Sequence, residues 1–129
     1  MDAKAAARTF VDTWLRAWPA SDAEAIGAMY TDDAVFVSHP FRRPEDPREY
    51  ARRAFAEESF VDARFGEPVA CEDRATVEYW AVLADAEGKE QTLIGLALLQ
   101  FGDDGRIVSH RDYWAMQDGR HETPPGWGG

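Results

Sequence analysis

Three runs of mostly alternating side chains, Arg74 to Asp85, Lys89 to Phe101 and Arg106 to Gln117, are separated only by short turns, and they limit the fold more than any other feature. Asp85-Ala86-Glu87-Gly88 and Asp103-Asp104-Gly105 each end in the glycine of a tight hairpin, so the runs pair as consecutive antiparallel neighbours. Each run is about twice the usual strand length, roughly 40 Å if straight, and in a small domain such strands must coil. Val61 to Glu72, interrupted at Gly66-Glu67-Pro68, adds a bent strand, and Ala34 to His39, ended by Pro40, adds a first one.

A curled sheet needs a cover on its concave side. Phe10, Val11, Trp14, Leu15 and Trp18 recur at helical spacing from Ala3 to Trp18, with Pro19 as a stop. Ser21-Asp22-Ala23-Glu24 reads as a capping box for a second, short helix reaching about Tyr30. Asp46-Pro47-Arg48-Glu49 opens a third, with Tyr50, Ala51, Ala54 and Phe55 as its apolar stripe. The expected class is α+β: a strongly curved antiparallel sheet with three helices from the N-terminal half packed on its concave face. Both alternating sets in Thr92 to Leu99 are apolar, so the convex face is also expected to be covered, by a second copy in a homodimer. Residues 1–117 form the expected domain, and 118–129, rich in proline and glycine, an irregular and mobile tail.

Charge and cysteine usage narrow the function. With 14 basic against 24 acidic residues the net charge is −10, which repels nucleic acid and anionic membranes. One cysteine, no apolar leader and no long apolar run lead to the cytoplasm as the expected location. Three scattered histidines and Cys71 make no metal motif, and no glycine-rich loop joins a strand to a helix, so no cofactor is expected.

The chemistry concentrates near the end of the last run. His110 and Asp112 are two places apart and share a strand face with Val108, Trp114 and Met116, so a proton-transfer pair points into apolar surroundings. His110 either joins a proton network with Asp112 or hydrogen-bonds a substrate oxygen while Asp112 moves the proton. If the Asp104-Gly105 turn has two or four loop residues, Asp112 faces Ala97 or Gly95 and a hollow results; a three-residue loop sets Leu96 there instead. On the preceding run either Glu78 and Trp80 or Tyr79 and Ala81 face inward. Further candidates for the pocket are Trp14 as floor, Tyr30, and His39 and Arg42 at the mouth, where the arginine is suited to a carboxylate or enolate.

Phe10-Val11-Asp12-Thr13-Trp14 with Trp18, the stretch Ile26 to Phe36, Glu78-Tyr79-Trp80-Ala81, and Asp104 to Val108 running into His110-Arg111-Asp112-Tyr113-Trp114 together resemble the SnoaL-like branch of the nuclear transport factor 2-like superfamily. The resemblance implies a conical fold whose open end admits a small hydrophobic molecule, with an acid/base aspartate on the last strand, matched by Asp112. An epoxide hydrolase would want an Asp-Arg-Asp relay in one cavity, whereas Arg111 and Asp112 point to opposite faces. A ketosteroid isomerase would want a tyrosine and a protonated acid, a set the sequence assigns to none of Tyr30, Tyr50 or Tyr79. The expected function is cofactor-independent acid/base catalysis on a small apolar carbonyl compound, of isomerase, cyclase or dehydratase type. The alternative is a non-catalytic small-molecule-binding or dimerisation protein of the same fold.

Overall fold

The computed structural model describes residues 1–129, in the order α1 (Ala3–Ala20), α2 (Ala23–Gly27), β1 (Tyr30–Val37), α3 (Pro47–Glu57), β2 (Ser59–Phe65), β3 (Val69–Cys71), β4 (Arg74–Ala84), β5 (Glu90–Phe101) and β6 (Ile107–Asp118). The long runs form the hairpins β4–β5–β6, and the sheet order is β1-β6-β5-β4-β2, with β3 also on β4. It is a curved, unclosed six-stranded sheet with the helices packed on one face. No helix is long and apolar enough to cross a membrane.

One pair departs from the antiparallel expectation: β1 runs parallel to β6, with Phe36 beside His110. Residues 38–106, more than half of the chain, separate the two strands, so the connection between them is long enough to permit the crossover that parallel pairing requires. β1 also begins earlier than expected, at Tyr30, because α2 ends at Gly27 after barely more than a turn.

The helix ends follow local chemistry. Asp2 caps α1, accepting from the N–H groups of Lys4 and Ala5. Pro19 does not stop this helix, which continues to Ala20 because a proline in the last turn removes only one bond, to a carbonyl near solvent. Ser21, expected as the second cap, instead takes the left-handed conformation at φ 53° and closes α1, while Asp22 caps α2 through the Ala25 N–H. Asp46 caps α3 with Pro47 behind it, as the sequence indicates.

The core lies between α1 and the concave sheet face, where Phe10, Ile26, Val77, Leu99 and Ile107 are fully or nearly buried. Burying one such side chain contributes about 1.5–3 kcal/mol. The pairing of β5 with β6 shifts between Gln100 and Phe101. This bulge puts Ile107, not Val108, next on the concave side.

The tail is not loose. Trp127 packs edge-on against Trp80, the Trp80 indole N–H donates to the His121 carbonyl, and the Glu67 N–H donates to the Gly128 carbonyl.

Candidate functional site

The register of the hairpins decides which side chains meet. Asp112 pairs with Ala97, Trp114 with Gly95 and His110 with Leu99 across β5–β6, while Gly95 pairs with Tyr79 across β4–β5. Side chains alternate along each strand, so His110, Asp112, Trp114, Met116 and Tyr79 all face the helices. Between them and the helices lies an open cavity of about 140 Å³, with Phe10, Trp14, Trp18, Tyr50 and Phe55 on the helical side. That space accommodates an apolar group of roughly one aromatic ring, with room for a substituent at the mouth.

At its floor four polar side chains form a chain. The Tyr30 hydroxyl and His110 Nδ1 are 2.7 Å apart, His110 Nε2 lies 3.5 Å from Asp112 Oδ1, and the Tyr79 hydroxyl donates to the same oxygen at 3.2 Å. If Tyr30 donates to Nδ1, the imidazole proton sits on Nε2, facing the carboxylate. His110 is only 2 % exposed and is boxed in by the rings of Phe10, Phe36 and Tyr30. It lines the deepest part of the cavity beside Asp112, and its Nε2 makes no hydrogen bond within the protein. Asp112 keeps 13 % of its side chain accessible, and its hydrogen bond from Tyr79 and its approach to His110 both fall on Oδ1, leaving Oδ2 without a protein partner.

Burial, and next the nearby negative charge of Asp112, pushes the hydroxyls of Tyr30, Tyr50 and Tyr79 well above their ordinary pKa of 10.0. All three therefore keep their protons and are available as hydrogen-bond donors, as Tyr79 is to Asp112. Glu58, at the other end of the cavity, is also raised, first by burial and then by Glu57 and Asp85.

Trp114 is fixed as a wall by its indole N–H, which donates to the Ser38 carbonyl at 2.6 Å. Trp14 and Arg42 also line the cavity, whereas four sequence candidates do not. Tyr30 stands behind His110. His39 leans on the Trp114 ring at 4.7 Å, with its Nδ1 accepting from the Phe41 N–H. Glu78 and Trp80 point to the opposite face of the sheet, Glu78 into solvent and Trp80 under the tail.

Tyr79, the residue between those two, is the wall that strand alternation alone could not choose. The signal for it was Gly95: a Cβ there would collide with the Tyr79 ring, so the glycine is the space the tyrosine crosses to reach Asp112. Tyr50, placed in the sequence on a helical stripe and assigned no role in the pocket, was the other residue missed.

The family model for the SnoaL-like domain matches residues 11–110. The chain belongs to the SnoaL-like family. A search of curated proteins finds no match. Among solved structures, this SnoaL-like protein is similar to SalBIII, an epoxide hydrolase/cyclase-like enzyme in pyran ring formation in the polyether salinomycin, at 18 % identity and a TM-score of 0.75 over 91 % of this chain and 98 % of that one. It is similar to an LEH-like epoxide hydrolase of M. tuberculosis at 25 % identity and a TM-score of 0.67, covering 85 % and 82 %. A hypothetical protein of Catenulispora acidiphila with a ketosteroid isomerase-like fold, in complex with trimethylamine, aligns at 21 % identity and a TM-score of 0.70, covering 81 % and 84 %. The fold is thus shared with an epoxide hydrolase/cyclase-like enzyme, an LEH-like epoxide hydrolase and a protein of ketosteroid isomerase-like fold. In this member of the family Arg111 is exposed on the far side of β6, so Asp112 is bonded by Tyr79 and neighboured by His110 and not by its adjacent arginine.

Proposed function

We propose that this SnoaL-like protein is an acid/base enzyme that moves a proton at the carbon beside the carbonyl of a small apolar molecule, in the manner of an isomerase, cyclase or dehydratase. The observation that carries the reading is the asymmetry of Asp112: one oxygen accepts from Tyr79 with His110 Nε2 3.5 Å away, and the other is without a protein partner at an apolar cavity. A carboxylate so held is oriented to accept a proton from carbon and return it. The enolate formed when Asp112 takes the proton needs a donor at its oxygen. Tyr50 lines the same cavity, makes no hydrogen bond within the protein and keeps its proton, so its hydroxyl is suited to that part. Tyr79 holds the carboxylate through its Oδ1, and the Tyr30–His110 pair places an imidazole nitrogen 3.5 Å from the same oxygen, close enough to share a proton once a ligand closes the cavity.

The test uses 1-tetralone, a bicyclic ketone, in deuterated water, with exchange of the protons beside its carbonyl followed by NMR. The native protein is expected to accelerate exchange, and Asp112→Asn to lower the rate by about 10² or more while leaving affinity for the ketone, measured by calorimetry, within a few-fold. Equal rates for the two proteins refute the role of Asp112. Binding of the ketone without accelerated exchange makes the cavity a binding site only.

A further inference from the structure

The mouth of the cavity holds a cation that the proton transfer does not use. Arg42 lies in the irregular segment between β1 and α3; its guanidinium sits 5.4 Å from the centre of the Trp114 ring, and its Nη1 donates to Ser38 Oγ at 3.1 Å. Ser38 is fully buried and donates to Glu45 Oε2 at 2.9 Å. The other oxygen of Glu45 accepts from Arg53 at 2.7 Å. Both oxygens of that carboxylate are therefore occupied, and Arg42 touches it only through a neutral hydroxyl.

An arginine held by an indole face and a buried hydroxyl has given up side-chain freedom without gaining a counterion. In a chain of net charge −10, with acids available for pairing, that is a specific arrangement. One of the five N–H donors of the guanidinium is used within the protein, and the rest of the fork is free to take a carboxylate in bidentate fashion. The group stands on the same wall as Trp114, so a ligand anchored on it lies along the aromatic lining toward Asp112.

We infer that Arg42 is an anion clamp, and that the substrate is a small apolar carbonyl compound that also carries a carboxylate, gripped by Arg42 at the mouth while its ring fills the cavity. The inference rests on the cavity being the substrate site. It makes Arg42 a determinant of specificity and leaves the proton transfer to Asp112.

Two probes of matched shape separate the ideas: 2-naphthoate and the neutral ketone 2-acetylnaphthalene, each titrated calorimetrically into the full chain. The native protein is expected to bind the acid about tenfold more tightly at low salt, the lower end of what a charged hydrogen-bonded pair gives at a partly exposed site. Arg42→Gln is expected to abolish this preference, and Arg42→Lys, which keeps the charge but loses the fork, to retain part of it. Added salt should weaken the acid alone. Arg42 is exposed, so the melting temperatures of the variants should match the native one. Equal binding of the two probes by the native protein, or a preference that survives Arg42→Gln, overturns the clamp while the cavity stands; failure of both probes to bind overturns the cavity reading and the clamp with it.

Discussion

Tyr79 reaches Asp112 because residue 95 has no side chain, so the smallest residue on β5 sets the geometry of the floor. Gly95→Ala is expected to force the tyrosine ring aside, at a cost of about 1–3 kcal/mol for an overpacked interior. Urea unfolding measures that loss, and the exchange assay should fall with it. Tyr30→Phe removes the partner of a buried ring nitrogen and leaves His110 Nδ1 unpaired, which costs about 1–3 kcal/mol. Its distinguishing readout is the ¹⁵N spectrum of the imidazole, where the tautomer preference should weaken even if the fold survives. The tyrosines also predict a pH dependence with a definite sign. Their folded pKa values lie above 10.0, so folded and unfolded chains hold the same protons below that value, and above it the unfolded chain releases protons that the folded one retains. Stability therefore falls as the solution becomes alkaline. Tyrosinate absorbance from Tyr30, Tyr50 and Tyr79 should appear together with unfolding, and an early, independent rise from these three would contradict their burial.

At the level of elements, the site is β6 read against β5 and β4, and the way it was legible in the sequence follows from strand physics. Alternation alone put His110, Asp112 and Trp114 on one face, because β6 continues without interruption from Ser109. It could not choose between the faces of β4, where Glu78 and Trp80 alternate with Tyr79 and Ala81 and both sets contain an aromatic. The choice depends on register against Gly95, a long-range fact. Nor could it foresee that Val108 sits at a bulge, or that the tail has a docking place. Trp80 looked like a pocket wall because a large aromatic wants cover, and the cover turns out to be Trp127 and the His121 carbonyl. Removing residues 120–129 is expected to cost about 2 kcal/mol through lost apolar contact and hydrogen bonds to Trp80, Thr92 and Glu67. Trp80 emission should shift to the red while ketone binding in the cavity on the opposite face stays as it was. An unchanged denaturation midpoint would mean that the tail contributes nothing to the fold.

For the molecule as a whole, most of the architecture followed from length and pattern: three overlong strands must coil, and three amphipathic helices had only the concave side to cover. What pattern could not supply was the parallel seat of β1 beside β6, since pairing of two strands so far apart in sequence leaves no local signature. The convex side poses the remaining physical problem. On β5 and β6 it presents Ile94 and Tyr113, 41 % and 44 % exposed, in one patch with the half-buried Leu96 and Leu98, and the C-terminal tail covers Trp80 on β4 and not this patch. Strand side chains of this kind lose free energy in contact with water, and a two-fold axis through the face would let each copy cover the other with the same residues. The expected species at micromolar concentration is a dimer of twice 14.5 kDa by sedimentation equilibrium. Ile94→Lys puts a charge at the centre of that face without touching the cavity, so it should yield a monomer that still binds the ketone probe. A native chain that sediments as a monomer, or an Ile94→Lys variant that stays dimeric, would rule out this face as the interface.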